Sequence, residues 1–311
     1  MQANASAEIT ASAHLTVRVA AVLAVGITAV SFASILIRWC PASALTIAFY
    51  RLLFASLFFG LFTGRQALRE WRAMPPRAFG LGVISGIALA AHFASWITSL
   101  FYTSVASSVV LVSTSPIFVA LGTRFVLREP TRPALFAGLA VAMIGAAMIA
   151  FADTDGGRNS LWGDLLALMG AVSFSVYFLA GRILRRQLST SAYVVMSYGV
   201  GAIILWLGTL VLQAPLSGFS WQVVGMLALI ALVPQVIGHT SFNWALKHLS
   251  APTVSVLMLG EPVGASILAY VLLGEKVFGW TLVGGVITLL GVGIVLLSES
   301  SRDRLQRAEA K

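Results

Sequence analysis

Long apolar runs recur along almost the whole 311-residue sequence, and they constrain its fold more than any other feature. Each is about 20 residues long, which lets an α-helix cross the roughly 30 Å hydrocarbon core of a bilayer. Only 10% of the residues are charged and 59% are hydrophobic, whereas soluble domains carry about 25% charged residues. The sequence therefore predicts an all-α integral membrane protein.

Ten apolar runs can be separated along the chain, and each is predicted to be a transmembrane helix. Their bounds are 17–38, 43–63, 78–100, 104–125, 133–152, 162–182, 192–212, 221–244, 251–273 and 278–298. The longest connections, residues 64–77 and 153–161, are too short to fold into a soluble catalytic domain. The first run is longer than the roughly 7–15 residues of a signal-peptide core, so it is expected to remain as span 1.

The distribution of positive charge predicts the orientation of these spans. With the amino terminus in the cytoplasm, the outer segments hold only Arg38, Arg158 and Lys276, whereas most other Lys and Arg residues flank the inner ends of spans. Cytoplasmic segments typically carry such an excess of cations. We therefore predict a multi-pass protein of a bacterial inner (plasma) membrane, with cytoplasmic tails at residues 1–16 and 299–311.

The partners expected from composition are few. The net charge of +9 follows from the topology and does not indicate nucleic acid. Cys40 is the only cysteine in the sequence, so neither an intrachain disulfide nor a cysteine metal cluster is expected. No cofactor and no metal site is predicted. The expected partners are a small-molecule substrate and the lipid bilayer, and monomer and homodimer both remain open.

The two halves of the sequence resemble each other. At a shift of 146 residues, identical residues meet in the same order: Ser95, Leu100, Pro116, Leu127, Glu129, Gly138 and Gly145 against Ser241, Leu246, Pro262, Leu273, Glu275, Gly284 and Gly291. Each half holds five spans, an odd number, so the halves must enter the membrane with opposite orientations. We predict an inverted-topology repeat of residues 17–152 and 162–298 around a central cavity, an arrangement that suits alternating access.

Two motifs at matching places in the halves carry a family resemblance. They are Ser113-Thr114-Ser115-Pro116-Ile117-Phe118 through Leu127-Arg128-Glu129, and Leu259-Gly260-Glu261-Pro262-Val263 through Leu273-Gly274-Glu275-Lys276. In both, a mid-span proline precedes a glutamate by thirteen residues. With these motifs the chain resembles the drug/metabolite transporter superfamily, specifically its EamA-type family of ten-helix exporters. The resemblance implies that spans 1, 3, 4, 6, 8 and 9 surround a central cavity, and that the substrate is an amino acid, another small metabolite or a drug.

Glu261 is the only acid predicted near the middle of the membrane. A charged carboxylate there costs about 2.5–3.5 kcal/mol on insertion scales, so it should face a polar cavity, pair with a cation or be protonated. We predict that Glu261 binds substrate or carries a proton, and the alternative is a carboxyl that only packs helices together. Its repeat counterpart is Ser115, a second candidate for substrate binding.

Prolines follow both of these residues, and they are candidate hinges. Proline removes its own N–H and disturbs the hydrogen bond to the residue four positions earlier. Pro116 and Pro262 would thereby free the carbonyls of Val112 and Met258, which could face a cavity or allow a bend. A static kink without a role in transport is the alternative.

Polar and aromatic residues on three other spans complete the candidate set. Spaced in steps of four, they would lie along single helix faces that lipid would not tolerate, so these faces line a cavity or pack against helices. The histidines could carry protons and Trp96 could stack on substrate. The alternatives are histidines that are only hydrogen-bonded in place, which is the more common case, and a tryptophan that packs in the core. The candidates for substrate binding are His92, Trp96, Tyr177, Gln235 and His239, with Asn243 on the same face as the last two.

Arg51 is a cation within span 2, which is peripheral in the arrangement that the resemblance implies. A structural role is favoured, in which Arg51 bonds freed carbonyls or pairs with an acid on another helix. Binding of a substrate carboxylate is the other interpretation.

The sequence as a whole favours a transporter that exports a small metabolite or drug by alternating access. The alternative is a membrane-embedded enzyme that acts on a lipid or small molecule, but no cluster of acids, histidines or nucleophiles is predicted at one interface. A channel or sensor is the third class, and no pore-lining ring or signalling domain is visible. Substrate identity, proton coupling, direction in vivo and oligomeric state are left open.

Overall fold

A computed structural model describes residues 2–103, 105–152, 161–273 and 279–309 of the chain. Within these ranges the protein is built of helices without any strand, which confirms the all-α prediction. The helices are α1 (Gln2–Ser31), α2 (Ala33–Trp39), α3 (Ala44–Arg72), α4 (Pro76–Tyr102), α5 (Val105–Val112), α6 (Ser115–Phe125), α7 (Pro133–Ala152), α8 (Leu161–Leu184), α9 (Thr190–Val211), α10 (Trp221–Ile230), a π-helical segment (Ala231–His239), α11 (Thr240–Ala245), α12 (Ala251–Leu257), α13 (Gly260–Leu273) and α14 (Gly279–Glu309).

Seven helical stretches in the described part are long and apolar enough to cross a membrane. They are Val17–Trp39, Ala44–Arg72, Pro76–Tyr102, Leu161–Leu184, Thr190–Val211, Trp221–Ala245 and Ala251–Leu272. Each coincides with a predicted span, and two shorter apolar helices, Pro133–Met148 and Leu282–Ser298, lie within spans 5 and 10. Span 4 is divided between α5 and α6. The protein is thus a multi-pass membrane protein, and the count of ten spans stays a prediction.

The connection predicted at residues 64–77 is mostly helix. Helix α3 continues to Arg72 and α4 begins at Pro76, because residues 66–70 are strong helix formers and Gln66 donates to Glu70 at 2.9 Å, one turn later. Glu70 also accepts from the backbone N–H of Ser189 at 2.7 Å, just before α9. The predicted tails are likewise largely helical, since α1 begins at Gln2 and α14 ends at Glu309. Residues 153–160 of the other long connection lie outside the described part.

Helices of the first half pack mainly on helices of the second half. Helix α3 lies along α9, α4 packs on α8, α7 lies along α14, and α1 packs on the π-helical segment. The α7–α14 contact is close because glycines face backbone across it. A Cβ atom at Gly145 would lie 2.5 Å from the carbonyl oxygen of Gly284, and one at Gly291 would lie 2.6 Å from that of Gly138. Small residues permit this approach of two helices in a membrane.

Spans 4 and 9, each predicted as one helix with a hinge or a static kink at its proline, are divided into two helices. Helix α5 ends at Val112 and α6 begins at Ser115, whereas α12 ends at Leu257 and α13 begins at Gly260. Pro116 and Pro262 therefore lie in the first turn of a new helix, where a missing N–H breaks no helical hydrogen bond.

Of the two carbonyls predicted to be free, that of Met258 has a local partner, and the prediction for Val112 stays open. The carbonyl of Met258 accepts from the N–H of Glu261 at 2.9 Å. The carbonyl of Ser115 accepts from the hydroxyl of Ser175 at 3.1 Å, and that of Glu261 accepts from Ser31 at 3.4 Å. Each serine hydroxyl also donates within its own helix, Ser175 to Ala171 and Ser31 to Ile27, both at 2.8 Å, so its single hydrogen is shared between the two carbonyls.

Candidate functional site

A cavity of about 50 Å³ lies where the two helix breaks meet α1, α3, α4, α8 and the π-helical segment. A single water needs about 10–15 Å³, so this conformation has room for a few water molecules. All six spans that the resemblance implies contribute to the wall, and span 2 contributes as well. Among the predicted site residues, the lining includes His92, Trp96, Ser115, Pro116, His239 and Glu261.

Arg51 forms the cationic part of the wall. Its side chain is 0% exposed, its Nε donates to Oε1 of Gln235 at 2.7 Å, and its guanidinium carbon lies 4.2 Å from the ring centre of Phe93. The two terminal nitrogens, Nη1 and Nη2, have no hydrogen-bond partner among the residues described. A buried polar group without a partner costs about 1–3 kcal/mol, and more when it is charged. The protein therefore holds at the cavity a buried cation with two donor nitrogens that no described residue accepts from.

Glu261 forms the anionic part of the wall, in the first turn of α13. It lines the same cavity as Arg51. Within the described ranges, however, no hydrogen bond or ion pair joins the two side chains. Helices α3 and α13 thus bring a basic and an acidic side chain to one cavity without direct contact between them.

The aromatic part of the wall is formed by His92, Trp96, Phe174 and His239. Nδ1 of His92 lies 2.9 Å from the carbonyl oxygen of Gly170. Because a carbonyl only accepts, Nδ1 carries the proton and a neutral His92 presents Nε2 as an acceptor. The His92 ring stacks on Trp96 with centroids 5.9 Å apart, and it lies 6.5 Å from the ring of His239.

The comparison with protein families agrees with this architecture. The model of the EamA-like transporter family matches the chain twice, at residues 15–151 and 161–297. This chain belongs to the EamA-like transporter family. The two matches are displaced by the same shift of 146 residues that relates the halves of the sequence, and the predicted resemblance is confirmed.

Curated relatives of this EamA-like protein are named as transporters. One, an uncharacterized transporter of Archaeoglobus fulgidus, is 25% identical over 79% of this chain and 85% of its own. A probable terminal-alkyne amino-acid exporter of Streptantibioticus cattleyicolor is 28% identical over 79% of this chain and 81% of its own. A crystal structure aligns with 90% of this chain and 97% of its own, with a TM-score of 0.73 and 17% identity, which concerns the fold alone.

Three predicted site residues of this EamA-like protein are not among the residues that line the cavity. Gln235 lies behind the wall and is bound to Arg51. Tyr177 is buried, and its hydroxyl accepts from Nδ2 of Asn243 at 2.5 Å. Pro262 lies in the first turn of α13, next to Glu261 in sequence. Roles of Tyr177 and Gln235 in substrate binding and of both prolines as hinges stay predictions, and the contacts of Gln235 are those of a residue that positions Arg51.

Arg51 is a cavity residue that the sequence pattern alone did not place among the favoured candidates for substrate binding. Its span is peripheral in the arrangement that the resemblance implies, which favours a structural role, yet its side chain lines the cavity. A signal was present, because Arg51 and Glu261 are the cation and the acid predicted deepest within spans. Ser113, Phe174 and Ser255 also line the cavity, and their residue types are too common in membrane helices to have indicated it.

A second charged cluster joins the ends of α6 and α8. The carboxylate of Glu129 contacts the guanidinium groups of Arg186 and Arg182, the latter at 3.6 Å. These side chains border a separate cavity of about 240 Å³. The repeat counterpart of Glu129, Glu275, lies outside the described residues.

Proposed function

We propose that this EamA-like protein exports a small metabolite, either an amino acid or a similar compound, or a drug, by alternating access. The observation that carries the proposal is the central cavity, where two broken helices bring a buried cation, an acid and an aromatic wall together. Small-molecule sites typically combine an apolar wall with a few placed polar groups. Transporters commonly build such sites from discontinuous helices.

The repeat provides the mechanism in this proposal. We infer ten spans in two five-helix units, residues 17–152 and 162–298, with opposite orientations in the membrane. Support comes from the close contacts between α7 and α14. The contact of Gly145 with Gly284 and that of Gly291 with Gly138 are interchanged by the 146-residue shift. Contacts that map onto each other in this way are expected from a pseudo-twofold axis in the membrane plane.

An amino acid or similar compound is the substrate class that we favour. One relative at 28% identity is named a probable terminal-alkyne amino-acid exporter. The cavity has a matching character, since Arg51 and Glu261 offer both signs of charge beside apolar side chains.

Transport itself is tested with purified protein in liposomes that are loaded with unlabelled solute. We expect saturable uptake of at least one labelled compound from a panel of amino acids, nucleosides and drugs, and no uptake into protein-free liposomes. A channel would instead pass a current that does not saturate, and an enzyme would return a chemically altered solute. Either of these results would contradict the proposal.

The proposal places the protein in a bacterial inner membrane with both termini in the cytoplasm. A reporter that fluoresces only in the cytoplasm, fused after Lys311, is therefore expected to be bright, and a phosphatase active only in the periplasm is expected to be silent at the same site. The physical reason is the excess of Lys and Arg residues at the inner ends of the spans. The opposite pattern of the two reporters would reject this orientation.

A further inference from the structure

The guanidinium of Arg51 is held rigidly with one edge unused. Gln235 occupies Nε at 2.7 Å, and the ring of Phe93 lies against the guanidinium with its centre 4.2 Å from the central carbon. The remaining edge consists of Nη1 and Nη2, which have no partner in the described part of the chain. Arginine offers such an edge as two parallel N–H donors, and the group that matches both is a carboxylate or phosphate.

We propose that Nη1 and Nη2 of Arg51 bind the carboxylate of an α-amino acid, whose ammonium group faces Glu261. This inference rests on the proposed function. In it, Arg51 is the residue that makes the site specific for substrates with a free carboxylate. A phosphate would bring about two negative charges beside the carboxylate of Glu261, so the pair of charges favours a zwitterion over a phosphate.

In chemical character, though not in the volume of this conformation, the remaining wall matches the rest of an amino acid. Val30, Val112, Leu259 and Phe174 give the cavity an apolar side, where an aliphatic or aromatic side chain would leave water. Nε1 of Trp96 is buried without a partner among the residues described, and it adds a neutral donor to the wall. The carboxylate of a zwitterion would accept from the Arg51 guanidinium while its ammonium group faces Glu261. The zwitterion as a whole would bring no net charge into the membrane.

The test compares each of the twenty common L-amino acids with its carboxamide, in which the carboxylate is replaced by a neutral amide. The readout is the ligand-induced shift in melting temperature of the full-length protein purified in detergent. For the wild type we expect at least one amino acid to reach its half-maximal shift at a concentration at least tenfold lower than its amide. This comparison needs no variant, so it does not depend on whether Arg51 can be replaced.

Variants then assign the preference to Arg51. We expect Arg51→Gln to weaken binding of the amino acid at least tenfold while the amide is unaffected, so that the preference disappears. Arg51→Lys keeps the positive charge, so this variant is expected to retain part of the preference for the amino acid over its amide. Arg77→Gln is the matched control, because Arg77 is exposed at the start of α4 and outside the cavity, and it should preserve the wild-type preference.

The results that would overturn the inference are specific. They are equal binding of every amino acid and its amide by the wild type, no binding of any amino acid, or an undiminished preference in Arg51→Gln. The proposed function fails separately: saturable transport of a solute that lacks a carboxylate keeps the exporter and rejects the Arg51 site. Amino-acid binding without transport keeps the Arg51 site and rejects the exporter.

Discussion

We expect the Glu261→Gln variant to reach the membrane at the wild-type level and to transport at least tenfold more slowly. The physical reason is that Glu261 is the anionic group of the cavity wall, and the amide keeps its size while removing its charge. A tenfold loss of substrate binding corresponds to about 1.4 kcal/mol. The measurement is initial uptake of a transported solute into proteoliposomes, normalised to the amount of folded protein.

The same variant separates two roles of the carboxylate. If Glu261 holds a cationic group of the substrate, the half-saturating concentration rises and the pH profile keeps its shape. If protonation of Glu261 drives the cycle, the pH dependence disappears while exchange of solute across the membrane continues. Glu129→Gln is the matched control, since it makes the same chemical change outside the central cavity. Normalising its transport to the amount of folded protein separates any loss of the contacts with Arg182 and Arg186 from an effect on transport. Wild-type transport with an unchanged pH profile in Glu261→Gln would return this residue to a packing role.

We expect Gly291→Ala to lower the melting temperature of the purified protein, whereas Gly293→Ala, two residues further along α14, leaves it unchanged or raises it. A Cβ atom at Gly291 would lie 2.6 Å from the carbonyl oxygen of Gly138, whereas a Cβ atom at Gly293 would have no atom of another described helix within 4 Å. Forcing a methyl group into a packed site typically costs about 1–3 kcal/mol. Replacing an unhindered helical glycine with alanine instead gains roughly 0.5–1 kcal/mol.

The proposed inverted repeat adds a second expectation to this experiment. Gly145 is the repeat counterpart of Gly291, and a Cβ atom there would lie 2.5 Å from the carbonyl oxygen of Gly284. Gly145→Ala should therefore lower the melting temperature by a similar amount, because the two substitutions strain related points of the same α7–α14 contact. A melting temperature of Gly291→Ala at or above the wild-type value would contradict the close packing of these helices.

The helix breaks show where reasoning from residue types stops. The prolines at 116 and 262 indicated that spans 4 and 9 depart from regular helix, and both departures are present. A proline can kink a helix or begin a new one, and the choice depends on what satisfies the backbone nearby. Here Ser175 and Ser31, on other helices, donate to the carbonyls of Ser115 and Glu261. Both contacts join helices that are distant in sequence, so the sequence pattern could not distinguish a broken helix from a kinked one.

The sequence by itself determined where the apolar helices lie, that the chain crosses a membrane, and that its halves are related by a shift of 146 residues. Hydropathy and repeats are properties of consecutive residues, so they are readable without a structure. Only the tertiary structure decided that Arg51 and Glu261 share a cavity while Tyr177 and Gln235 lie outside its lining. A helix side chain's direction follows from its position, but which neighbour it meets depends on how helices far apart in sequence pack together.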